Sequence, residues 1–152
     1  MSFEARTDLA LEAREMYIES SESTDEISGV EAEEEEFGEG INVTRVRIVN
    51  KSGEKALGKS KGTYITIEIL DRMMREQLVY EKACRVCAKE LSALVNKWGD
   101  GTVLVIGLGN RNISADALGP KTVDSVLITR HLLEYMPEEI DSRLRSVCAV
   151  AP

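Results

Sequence analysis

A chain of 152 residues has room for one domain with a real hydrophobic core. Its 43% hydrophobic and 30% charged residues fit a soluble globular protein, and a net charge of -8 argues against a nucleic-acid surface, which needs a basic patch. No apolar run approaches the ~20 residues of a membrane span, and the N-terminus lacks a signal-peptide core. Three cysteines without export signals predict reduced thiols in the cytoplasm. The single histidine, His131, excludes a multi-histidine metal site, and no metal or other cofactor is expected.

Taken in order, residues 1–19 carry helical spacing, with Leu9, Leu11, Met16 and Ile18 set among acids and arginines. Ser20 to Glu26 is a polar break. The run Glu33-Glu34-Glu35-Glu36 could recruit a basic partner, but it reads first as a solvated loop or strand edge. Ile41 to Val49 reads as a strand whose alternation shifts phase near Thr44-Arg45, which suggests a bulge. Tyr64 to Ile69 alternates cleanly, with Ile65, Ile67 and Ile69 on one face. These two strands give an N-terminal β-hairpin region.

Between them lies Gly53-Glu54-Lys55-Ala56-Leu57-Gly58-Lys59-Ser60, a literal match to the phosphate-binding pattern G-x-x-x-x-G-K-[ST]. That pattern works when loop amides and the N-terminus of a following helix cradle phosphates. Here the residues after Ser60 are β-branched and alternating, so no helix can start there. The segment is expected to be a plain hairpin loop. A nucleotide-binding module using Gly58-Lys59-Ser60 is the alternative.

Leu70 to Trp98 has the clearest helical period. Cys84 and Cys87 form a C-x-x-C pair, which could mean redox chemistry or half a zinc site. Both fall on the apolar stripe and no second thiol pair exists, so a buried structural pair is expected.

Val103 to Ile106 is an unalternating apolar run closed by glycine, the pattern of a strand buried on both faces of a parallel sheet. Gly107 and Gly109 turn the chain at that strand's carboxyl end, where α/β proteins gather ligands and catalytic groups. Asn110 follows, then a polar loop, Asp116, and Gly119-Pro120 in position to open a helix. Asn112 stands where a dinucleotide fingerprint needs its third glycine, so close helix–strand packing is not expected. Val123 to Met136 reads as one largely buried helix carrying His131 as a packed or capping residue. Val147 to Val150 is a second apolar run, completing a βαβ unit with a right-handed crossover. The fold class is therefore α/β, a parallel or mixed sheet with flanking helices. The chain stops where such a sheet would continue, and is expected to be the front part of a longer polypeptide.

The segment from Gly107 to Arg130, with Arg6-Thr7-Asp8-Leu9-Ala10 and Val150-Ala151-Pro152, resembles the germination protease family of endospore-forming bacteria. More distantly, G-x-G-N followed by a carboxylate is similar to hydrogenase-maturation proteases, which implies a shared α/β architecture. The resemblance implies a single α/β domain over residues 1–152, forming the N-terminal portion of an endopeptidase. Its substrates would be the small acid-soluble proteins coating spore DNA, degraded in the spore core during germination. It further implies an atypical aspartic-type enzyme, made as a zymogen and assembled as a homotetramer, with no direct contact to nucleic acid or membrane. Asp116 occupies the position of one of two catalytic aspartates, flanked by Gly107, Gly109 and Asn110; the second belongs beyond Pro152. Cleavage is expected between Asp8 and Leu9, making residues 1–8 a propeptide. Paired carboxylates suit peptide hydrolysis, because one must be ionised to activate water and the other protonated to donate to the amide. Asp124 and Asp100 have no claim to the second role: one lies two helical turns on, the other at the far end of the strand. With that partner missing, a non-catalytic assembly fragment stays open as a further alternative.

Overall fold

A computed structural model describes residues 8–21, 27–38, 40–70, 76–97, 99–141 and 143–152. It is mixed α/β and divides into two compact units, Met1–Glu90 and Leu91–Pro152.

The first unit is built on an antiparallel sheet of β1 (Val30–Glu36), β2 (Ile41–Ile48) and β3 (Gly62–Ile69), with β2 in the centre. The acidic run forms β1, and its glutamates are exposed along the sheet edge. Charge on an edge strand discourages pairing with other chains. The phase change in β2 is not a bulge. Pairing runs one to one from Val30↔Ile48 to Glu36↔Asn42 on one side and from Ile41↔Ile69 to Ile48↔Gly62 on the other. The alternation breaks because β2 buries residues on both faces, Val43 and Thr44 being neighbours that are both buried. Val46 and Ile48 join Ala10 and Ala13 of α1 (Ala10–Ser21), Ile27 and Leu57 in one core cluster. Ile41, Val43 and Arg45 point the opposite way, where Arg45 meets Glu90 of α3 (Gln77–Asn96). Ile65, Ile67 and Ile69 sit opposite Arg45, Val43 and Ile41, so they share that second face as their spacing predicts.

The expected hairpin loop between β2 and β3 is instead a helix, α2 (Lys51–Leu57). Asn50 caps it, its Oδ1 accepting the amides of Ser52 at 2.9 Å and Gly53 at 3.1 Å. Gly58 stops it in the left-handed conformation at φ 64. The phosphate-loop match dissolves residue by residue. Gly53 is there because a Cβ would lie 2.3 Å from the Gly29 carbonyl oxygen. The helix precedes the Gly-Lys-Ser segment, and β3 follows it at Gly62. No helix N-terminus faces a phosphate there, so the nucleotide reading lacks its cradle.

α3 also departs from expectation. Its buried residues are Ala83, Val86 and Glu90, while Cys84 and Cys87 are exposed free thiols. The helix is rotated so that Glu90 can reach Arg45, which turns the cysteine face outward. Of the span Leu70 to Trp98 expected to be helical, residues 71–75 and Trp98 lie outside the described residues.

In the second unit β4 (Val103–Ile106) pairs in parallel with β5 (Val147–Val150), register Val103↔Val147 to Ile106↔Val150. β4 is not buried on both faces: Leu104 and Ile106 are 56% and 55% exposed. The expected single helix between the strands is two, α4 (Leu118–Ser125) and α5 (Arg130–Tyr135). Val126 turns extended, and the non-helical stretch after it, Leu127 and Ile128, runs to Thr129. Thr129 is buried and tied to β5: its amide donates to the Val147 carbonyl at 3.1 Å, and its Oγ1 accepts the Val147 amide at 2.9 Å. Those bonds to a neighbouring strand outweigh continuing the helix. His131, expected to be packed or capping, is exposed on α5.

Candidate active site

The site is assembled where β4 ends. The amide of Gly107 donates to the Val150 carbonyl at 2.8 Å, the last rung joining β4 to β5. The chain then turns through Gly109 at φ 134, where a side chain would be strained and its Cβ would sit 2.1 Å from the Asp116 carbonyl oxygen. Asn110 makes the loop self-supporting: its Oδ1 accepts the Asn112 amide at 2.9 Å, and its carbonyl accepts the Ile113 amide at 3.1 Å.

Asp116 ends a short 3-10 turn, Ser114–Asp116. Its backbone is held on both sides. Its amide donates to the Ile113 carbonyl at 2.9 Å, and its carbonyl accepts the Asn110 amide at 3.0 Å. Asp116 does not cap α4, whose N-cap is Ala117. Its side chain is exposed beside a groove of about 350 Å³ lined by Val105, Ile106, Leu108, Ala115, Leu118 and Thr122. Among the described residues Asp116 is the one acid lining that groove. An exposed carboxylate on a fixed backbone, at an otherwise largely apolar groove, can exchange protons with a bound peptide.

Two features of the site escape a reading of the sequence. The first is Gly119, which does the work assigned to the missing third glycine. A Cβ there would lie 2.1 Å from the Leu108 carbonyl oxygen, and one on Gly107 would lie 2.3 Å from the Gly119 oxygen. Backbone thus touches backbone, and close helix–strand packing is encoded after all, by a glycine ten residues after Gly109. Its signal was the Gly-Pro pair. Gly119→Ala is expected to destabilise the chain by about 1–3 kcal/mol through overpacking. Urea denaturation checks this; an unchanged midpoint would mean that α4 shifts freely. The second feature is Arg111, which grips Asp124 of α4 through two hydrogen bonds, Nη1 to Oδ2 and Nη2 to Oδ1. This hydrogen bonding holds the Asp124 carboxyl below its usual range and the Arg111 guanidinium above its own. Asp124 therefore braces the loop from α4, a role its sequence spacing did not reveal.

Asp8 and Leu9 belong to the first unit, both exposed immediately before α1. The Asp8 carbonyl accepts a hydrogen bond from Lys59 Nζ at 3.0 Å. Among the described residues no three acidic, cysteine or histidine side chains come together to hold a metal ion. No described helix is long and apolar enough to cross a membrane.

The germination protease family model matches residues 10–152. The chain belongs to the germination protease family. It is 47% identical over 147 residues to the germination protease of Clostridium tetani, aligning 97% of this chain with 45% of that one. Against the germination protease of Caldanaerobacter subterraneus the identity is 48% over 147 residues, 97% of this chain and 44% of the relative. The Bacillus cereus germination protease is 39% identical over 153 residues, 99% of this chain and 41% of the relative. The chain spans less than half the length of these germination proteases. The match takes in β4, the Asn110 loop, Asp116 and α4, and begins at Ala10, two residues after Asp8.

Proposed function

We propose that this chain is the N-terminal part of a spore-germination endopeptidase in which Asp116 is one of two cooperating catalytic aspartates. The observation that carries this is the placement of Asp116 at the carboxyl end of β4, exposed, beside a groove, with its backbone bonded on both sides. Family membership supplies the reaction class, peptide hydrolysis. One carboxylate, ionised, takes a proton from the attacking water, and its protonated partner donates to the leaving amide nitrogen. Two close carboxylates resist double ionisation, so the pair divides these roles between them. The second aspartate comes from sequence that this chain does not contain. Gly107, Gly109 and Asn110 serve by shaping the loop rather than by touching substrate.

The substrates are the small acid-soluble proteins of the spore, and the enzyme works in the spore core as a homotetramer. It is made as a zymogen and processed between Asp8 and Leu9, releasing residues 1–8. The architecture is of the hydrogenase-maturation protease type, completed by the remaining length of the relatives. Neither metal nor other cofactor enters this scheme.

Cleavage of a basic spore protein at acidic–apolar bonds is the test. The protein extended to the length of its relatives is expected to cut, and the 152-residue chain to be inactive, since groups that act as a unit lose most of their effect when one is missing. Robust cleavage by the short chain would put the second catalytic group within it. If the extended protein cuts nothing, the assembly reading gains, favoured by the exposed apolar side chains Leu104, Ile106, Leu108 and Leu118.

A further inference from the structure

The lysine of the false phosphate loop has an occupation of its own. Lys59 is half-buried between α2 and β3, and its Nζ lies 3.0 Å from the carbonyl oxygen of Asp8. That carbonyl belongs to the Asp8–Leu9 peptide bond. The next carbonyl, of Leu9, accepts the Ala13 amide at 3.2 Å and so already belongs to the first turn of α1. Ala10, Leu11 and Ala13 follow at 3%, 8% and 0% exposure. A protease takes its substrate as an extended strand reaching several residues past the cut. Here, extending the chain beyond Leu9 would break the Lys59 contact, undo a helical turn and draw Ala10 and Leu11 out of the core. The bond lies at the surface, yet its surroundings keep it out of the conformation a protease needs.

We propose that Lys59 is a positioning residue of the processing junction: its ammonium holds the Asp8 carbonyl, so cleavage at Asp8–Leu9 waits on local opening of the first turn of α1. The proposal rests on the reading of Asp8–Leu9 as the processed bond. Hydrolysis there adds one water across the C–N bond, leaving a carboxylate on Asp8 and a free amine on Leu9. Lys59 then faces a full negative charge, and the contact becomes an ion pair. Susceptibility of such a bond follows the population of the opened form when opening is fast relative to cleavage.

The experiment uses the 152-residue chain with Lys59 intact, as Lys59→Met and as Lys59→Arg, each treated with two proteases and followed by mass spectrometry. The first is an endoprotease specific for bonds after acidic residues, with Glu139–Ile140 in the exposed stretch after α5 as the internal reference. Lys59→Met is expected to speed cleavage at Asp8–Leu9 at least about tenfold relative to that reference, the effect of losing the charge-assisted hydrogen bond to the Asp8 carbonyl. Lys59→Arg is expected to stay near the parent rate, and all three chains to melt together. Equal rates in all three, or slower cleavage in Lys59→Met, would overturn the proposal. The second protease is the mature germination protease of Clostridium tetani. First cleavage at Asp8–Leu9, again faster in Lys59→Met, supports both readings. First cleavage elsewhere overturns the processing reading whatever the first protease does, so the two failures are separable.

Discussion

Replacing Asp116 with asparagine, in the protein extended to the length of its relatives, is expected to lower kcat by about a thousandfold while leaving the fold intact. The rate falls because an amide cannot exchange the proton that water activation and amide protonation require. The fold survives because every bond the structure draws at this position comes from the backbone. The Asp116 amide goes to Ile113 and its carbonyl receives Asn110, and asparagine keeps both. The side chain is exposed and Asp116 is not the cap of α4, so no buried charge or cap is lost. A pair of carboxylates titrates as a unit and gives a bell-shaped pH–rate profile whose limbs belong to the pair. The asparagine variant should therefore change the shape of the residual profile as well as its height. Circular dichroism through the melt is the control for folding. Full activity with an unchanged bell would remove Asp116 from the mechanism.

Much of this site could be read from local sequence, and the reasons for the misses are physical. Strand β4, its glycine turn and the position of Asp116 follow from an apolar run, two glycines and a Gly-Pro pair within one short stretch. β3 was equally local, read from its alternation, whereas the glutamate run of β1 left loop and strand edge both open, because charge marks exposure and not extension. α2 was missed although its signals were present. Asn50 is a good cap and Gly58 a good stop, but seven residues are too few for a helical period to show. Elsewhere the deciding partner was remote. Thr129 leaves the helical path for Val147, eighteen positions away. Cys84 and Cys87 face outward because the neighbouring face carries Glu90, and Glu90 is buried only because Arg45 waits on β2. Hydrophobicity alone chooses the cysteine face. An ion pair between residues 45 positions apart overrides it, and no window along the chain contains both members.

That pair supports the largest stability effect expected in the first unit. Glu90 is 6% exposed and receives two hydrogen bonds from Arg45, Nε to Oε2 at 3.0 Å and Nη2 to Oε1 at 2.6 Å. Arg45 also reaches Glu35 at 2.8 Å and Glu33 at 3.6 Å, so one guanidinium ties the edge strand and α3 to the centre of the sheet. Arg45→Met removes the partner and leaves a buried carboxylate, an arrangement that costs about 3–5 kcal/mol. Against a typical domain stability of about 5–15 kcal/mol, that is enough to bring the unit near unfolding. The pH dependence carries a sign. The Arg45 hydrogen bonds hold the Glu90 carboxyl below its usual range, ahead of the opposing effect of burial. In the parent chain the pair's contribution is therefore full above the unfolded-state value and is lost as pH falls through the folded one. In Arg45→Met, burial, which raises the Glu90 carboxyl, outweighs the smaller opposing effect of the Lys89 charge, so acid relieves the variant while it weakens the parent. The gap between their urea midpoints should narrow as pH drops. Arg45→Met combined with Glu90→Met should recover most of the loss, since a packed apolar pair often replaces a buried ion pair at little cost. A double variant as unstable as the single one would show that Arg45 acts through its contacts to β1 and not through Glu90.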